Sequence, residues 1–123
     1  MVNIKLKLEN YNNIKAEIKK LYYEIKCLEE EIKTDKINIY RIDYKRAMIE
    51  RLEAEIDFID AVIATLKPLE QKIITLRYIK GLLHEEIAVQ VVRDISSVYR
   101  IEAKALKKIE RWLIWIKKSY KQD

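Results

Sequence analysis

The sequence predicts an all-α protein: an N-terminal antiparallel, coiled-coil-like helical hairpin followed by a helix-turn-helix with an extended C-terminal helix. Three observations carry this. The 123 residues contain one Gly and one Pro, too few for the many tight corners of a sandwich, a barrel or a doubly wound sheet. Half of the residues are apolar although 37% are charged, so the chain can bury a core and escape disorder. The apolar residues recur at helical and heptad spacing. A chain of this length fits one domain with an appended helical arm and leaves little room for a two-lobed cofactor enzyme.

The arm, residues 1–66, opens with Ile4, Tyr11, Ile18, Ile25 and Ile32 seven apart, with Ile14, Leu21 and Leu28 three residues after the second, third and fourth of them. This is a heptad seam. A second seam through Ile42, Ile49, Leu52, Ile56, Ile59, Ile63 and Leu66 is three residues out of phase with the first. The break falls at Thr34-Asp35-Lys36-Ile37-Asn38, where turn-formers and a β-branched residue weaken helix propensity. Two helices of similar length folded into a hairpin account for this pattern. One continuous helix with a stammer is the alternative, and it demands an intermolecular coiled coil of roughly 90 Å at about 1.5 Å per residue. A parallel homodimer of the first helix would place Glu24 opposite Glu29 of its partner, which favours the hairpin. Tyr22, Tyr23, Phe58 and Val62 lie off both seams, so the hairpin is expected to pack against the C-terminal half or a second copy.

From Pro68 the pattern changes. Residues 69–78 form an amphipathic segment with Leu69, Ile73, Leu76 and Ile79 on its apolar face, Pro68 in the first turn and Gly81 as the stop. A short helix over 83–91 would bury Ile87, Ala88 and Val91. Asp94 then caps a longer helix that buries Val98, Ile101, Ala105 and Ile109. Two helices joined by a few residues, with a small alanine at their crossing, describe a helix-turn-helix, although periodicity alone fits any small helical bundle. Past it, Ile109, Trp112, Leu113, Ile116 and Tyr120 extend an apolar stripe beside Trp115. Packing on the hairpin, dimerisation and a membrane-surface helix are the ways to cover it.

Charge separates the two halves. Residues 1–66 hold 12 Lys/Arg and 13 Asp/Glu, net −1; residues 67–123 hold 13 and 7, net +6, which gives the +5 of the chain. A basic half beside a near-neutral one is the footprint of a nucleic-acid-binding module with a non-binding arm; the plainer reading is an uneven solvated surface. Cys27 is the only cysteine, which excludes an intrachain disulfide and fits a reducing compartment. The first thirty residues interleave Lys and Glu, unlike a secretory leader, and the longest apolar run of the arm, residues 61–64, is too short to span a bilayer. The expected location is the cytoplasm of a bacterial host cell, with no membrane partner.

The string Pro68-Leu69-Glu70-Gln71-Lys72-Ile73-Ile74-Thr75-Leu76-Arg77-Tyr78, then Gly81, Glu85-Glu86-Ile87-Ala88 and Val98-Tyr99-Arg100-Ile101-Glu102-Ala103-Lys104-Ala105-Leu106 resembles region four of bacterial RNA polymerase sigma factors. The resemblance covers residues 67–110 and implies a helix-turn-helix that binds the promoter −35 element and touches polymerase. The whole chain is similar to small phage and prophage regulators of the RinA and ArpU type, proposed late-gene activators with a helical arm before such a motif and often a Tyr-Arg pair where Tyr99-Arg100 stands. No segment resembles the sigma region that melts the −10 element. Housekeeping sigma factors carry charged residues at the positions of Ile95, Ser96 and Ser97, so the resemblance transfers fold and DNA binding but not the −35 sequence. Val92 and Arg93 also stand where many such motifs use Gly.

On this basis residues 67–123 form the DNA-binding domain, with double-stranded DNA as partner, RNA polymerase as a candidate second partner, and a homodimer or higher homo-oligomer expected. Ser96, Ser97, Tyr99 and Arg100 occupy the exposed start of the second helix, with Arg100 placed for a guanine edge or a phosphate. Arg77, Lys80, Arg93, Lys104, Lys107 and Lys108 suit phosphate contacts. His84 has no other His or Cys nearby to share a metal and no nucleophile to activate; an exposed helix-start or DNA-facing role is expected. The pairs Glu29-Glu30 and Glu85-Glu86 lack the glycine-rich loops or metal motifs of phosphoryl chemistry. Neither an enzyme site nor a cofactor is expected. The expected function is sequence-specific transcription regulation, as in a phage late-gene activator; the alternatives are a phage terminase small subunit and a helical interaction adaptor.

Overall fold

The computed structural model describes residues 3–31 and 36–121, and all of its regular structure is helical. In order these are α1 (Ile4–Glu9), α2 (Tyr11–Glu31), α3 (Lys36–Ala64), α4 (Pro68–Ile74) continued by a π-turn (Thr75–Ile79), α5 (His84–Val91) and α6 (Ile95–Lys121). Two compact units partition them: Tyr11–Phe58, and residues 1–10 together with 59–123.

In the first unit α2 and α3 form the antiparallel pair. Leu21, Ile25 and Ile49 make its buried cluster, with Ile18, Ile42, Met48 and Leu52 packed around it, so the two seams face each other. Polar groups fix the register at the edges. Lys45 donates to Glu24, Arg46 donates to Glu29 at 2.8 Å, and the Tyr22 hydroxyl donates to Glu53 at 2.8 Å. Glu24 and Glu29, which would oppose each other in a parallel homodimer, thus each meet a cation of α3. The Lys45 hydrogen bond holds the Glu24 carboxyl below its ordinary range. Ile32, Thr34 and Asp35 lie outside the described residues.

The start of the arm differs from the heptad reading. Ile4 does not begin the long helix: Asn3 caps α1 through Oδ1, which accepts the Leu6 N–H at 3.2 Å, and Asn10 ends it. Asparagine is a weak helix former that competes for backbone hydrogen bonds, and Asn10, Asn12 and Asn13 cluster here. The resulting six-residue helix packs on α6 and the π-turn, burying Ile4 and Leu8 within the second unit.

That unit is centred on Ile73, Ile87 and Val98, with Leu69, Leu76, Leu82, Ala88, Val91 and Ile101 around them. The end of α3 contributes buried Ile59, Val62 and Ile63 to the same unit. The connection to α4 is held by Gln71 Nε2, which donates to the Leu66 carbonyl at 2.7 Å. Pro68 occupies the first turn of α4, where its missing N–H costs no hydrogen bond. The helix does not stay α to residue 78. At Thr75 it widens, and Lys80 N–H closes on the Thr75 carbonyl at 3.0 Å, an i to i+5 bond. The extra residue in the turn brings Tyr78 into the core and leaves Ile79 half-buried. Gly81, at φ 73°, then reverses the chain, as a residue without Cβ can.

Candidate nucleic-acid interface

The helix-turn-helix is α5, the turn Val92-Arg93-Asp94, and α6. α5 starts where Glu86 Oε1 accepts the Leu83 N–H at 3.1 Å, satisfying one orphan donor of the first turn. It ends at Val92, whose φ 54° and ψ 53° lie in the left-handed region. The Arg93 N–H returns to the Ala88 carbonyl at 3.0 Å. The turn therefore has the conformation for which glycine is the usual residue, adopted here by a β-branched side chain. Asp94 caps α6 as the sequence predicts: its carboxylate accepts from the Ser97 and Ser96 hydroxyls and the Ser97 N–H, and these bonds hold it below its ordinary range. Ser96 Oγ lies 2.7 Å from Asp94 Oδ2.

The crossing of α5 and α6 is locked by polar contacts that helical periodicity does not reveal. Glu102, buried in α6 at 7% exposure, accepts from the Tyr78 hydroxyl at 2.7 Å and from His84 Nε2 at 2.5 Å. Burial, and then the bond to Glu102, push the Tyr78 hydroxyl well above its ordinary range. The His84 ring also stacks on Tyr99, with centroids 4.0 Å apart and planes 20° from parallel. His84 is therefore at a helix start, as expected, but is half-buried rather than exposed. Its role is to tie the π-turn, α5 and α6 together. A second buried carboxylate, Glu70, takes the Lys108 ammonium at 2.9 Å and the Lys67 N–H at 3.0 Å. Burial would raise the Glu70 carboxyl, but the Lys108 and Lys67 hydrogen bonds outweigh it and hold the group below its ordinary range.

These contacts sort the residues expected at DNA. Lys80, Arg93, Ser96, Tyr99, Arg100, Lys104 and Lys107 are exposed, whereas Arg77, Ser97 and Lys108 are half-buried. Ser96, Arg100, Lys104 and Lys107 fall at spacings of three and four along α6 and so share a side of the helix. Arg77 donates to the Leu82 carbonyl at 3.0 Å, and Lys108 serves Glu70. Ser96 and Ser97 serve the Asp94 cap. Among the described residues no cluster of His, Cys, Asp and Glu is arranged to hold a metal ion, and no helix is long and apolar enough to cross a membrane.

Residues 59–109 match the family model described as sigma-70, region 4. This segment, somewhat under half of the chain, is a helix-turn-helix similar to sigma region 4, a kind of domain that binds DNA. No curated protein and no solved structure matches the chain.

Proposed function

We propose that the protein is a sequence-specific, DNA-binding transcription regulator that inserts the start of α6 into the major groove. The observation that carries this reading is the exposed cationic side of α6, with Arg100, Lys104 and Lys107, on a segment that matches sigma region 4. Such a face neutralises phosphates and sets the register of the helix, while base-edge contacts at its N-terminal turns select sequence. The finer role is that of a phage or prophage late-gene activator in a bacterial cytoplasm, with RNA polymerase as second partner. The Tyr11–Phe58 unit supplies self-association: it exposes Tyr23, Tyr40 and Tyr44, aromatic residues of the kind enriched at protein interfaces.

Selection of binding sites from a random duplex pool with purified protein tests this reading. A defined motif is expected. Arg100→Ala should relax preference at one position by about 1 to 3 kcal/mol, the worth of a bidentate guanine contact. An absence of binding even at low salt overturns the proposal.

A further inference from the structure

The start of the recognition helix offers little hydrogen bonding to a base edge. The Ser96 and Ser97 hydroxyls are turned to the Asp94 carboxylate, which is in turn committed to capping the helix. Large hydrophobic side chains face solvent beside them. Val92 in the turn is 85% exposed, Ile95 in the first position of α6 is 40% exposed, and Tyr99, one helical turn further on, is 53% exposed. Arg93 and Arg100 flank them and are also exposed. The patch thus lies between two arginines, with the exposed Asp94 carboxylate beside it engaged by the two serines; the surplus of positive charge complements the walls of a nucleic-acid groove and opposes coverage by a second copy of the same face.

Val92 is held at φ 54°, a conformation strained for a β-branched residue. The side chain is nearly all in solvent, so packing within the fold does not repay that strain. Strain retained beside a binding surface points to a role at that surface. In the major groove one base feature is apolar, the 5-methyl group of thymine, and it is read by apolar side chains.

Resting on the DNA-binding reading above, we propose that Val92 and Ile95 are specificity-determining residues that contact thymine 5-methyl groups. The preferred element then carries thymine opposite the turn and the first residue of α6, recognised by apolar contact rather than by paired hydrogen bonds. Arg100, one turn deeper, reads a neighbouring pair or clamps the adjacent phosphate.

The test replaces each thymine of the selected element, one at a time, by uracil, which removes only the methyl group. Affinity of the full-length protein is followed by fluorescence anisotropy. One or two positions should lose about fourfold, the worth of burying one methyl group. Val92→Gly and Ile95→Ser should each abolish the loss at one of these positions, with helicity by circular dichroism retained. Val92→Gly keeps the fold under control, because glycine suits φ 54°. Specific binding that is indifferent to every uracil, or uracil losses unchanged in both variants, overturns this inference alone. Failure to bind DNA at low salt overturns the DNA-binding reading and the inference with it.

Discussion

Val92 and Glu70 show two opposite residue-scale compromises. Val92 carries backbone strain at an exposed turn, so Val92→Gly is expected to raise unfolding stability by about 1 kcal/mol, since the relief of strain exceeds glycine's greater entropy when unfolded. Urea unfolding measures this. Glu70 is buried and ion-paired. Its folded-state pKa lies below the ordinary 4.5, so its stabilising effect is present above the unfolded value and is lost as pH falls through the folded one. Thermal midpoints followed from pH 7 to pH 3 should therefore fall in the wild type. Glu70→Gln should lower the midpoint at pH 7 and shrink the acid loss without removing it, because Glu24 and Asp94 are shifted in the same direction. An acid profile unchanged by the substitution would show that Glu70 carries none of it.

At the scale of elements, α1 and the π-turn depart most from helical periodicity read along the chain. A heptad start at Ile4 would place Leu8 away from the seam, yet Leu8 is fully buried in the unit that α1 shares with α6. Leu8→Ala is therefore expected to cost about 2 to 5 kcal/mol, the range for a core leucine, in place of the roughly 0.5 kcal/mol or less of a surface site. Chemical denaturation separates the two outcomes. α1 also packs on α6. Ile109 and Leu113 of the apolar stripe of α6 are buried and Trp112 is half-buried, while the side chains of Ile116 and Tyr120 lie outside those described. The motif helices themselves were legible: a helix over 83–91 is found at His84–Val91, Asp94 caps the next, and Val98, Ala105 and Ile109 are buried. Each of these signals is local, a period or a cap. The lock of Tyr78, His84 and Glu102 was not legible, because its partners lie 18 and 24 residues apart and no period links them. One trace exists: Glu102 falls in the buried stripe between Val98 and Ala105, and a carboxylate in such a register needs partners.

For the molecule as a whole, the basic half found by counting charges gives up two of its described cations to the fold. Lys67, Lys72, Lys80, Arg93, Arg100, Lys104, Lys107 and Arg111 are exposed, and Lys80, Arg93, Arg100, Lys104 and Lys107 are those expected at DNA, while Lys108 and Arg77 hold the fold together. With four to five phosphates neutralised, the slope of log affinity against log salt should be about −4. Lys104→Ala or Lys107→Ala should reduce its magnitude by about 1, whereas Lys108→Ala should lower stability and leave the slope unchanged; titrations at several salt concentrations decide this. Light scattering on the same samples bears on the proposed self-association, for which a dimer is expected and a ring would favour the DNA-packaging alternative.

By itself the sequence determined the helical class, the two seams, the helix-turn-helix and the location of the positive charge. All of these follow from composition, periodicity and capping, which act over a few residues. Tertiary structure alone decided that the first ten residues and the end of α3 share a unit with the motif, that a π-turn brings Tyr78 inward, and which cations remain exposed. Those outcomes depend on pairings between residues distant in the chain, where burial makes an unpartnered carboxylate or hydroxyl costly and selects the one arrangement that satisfies it.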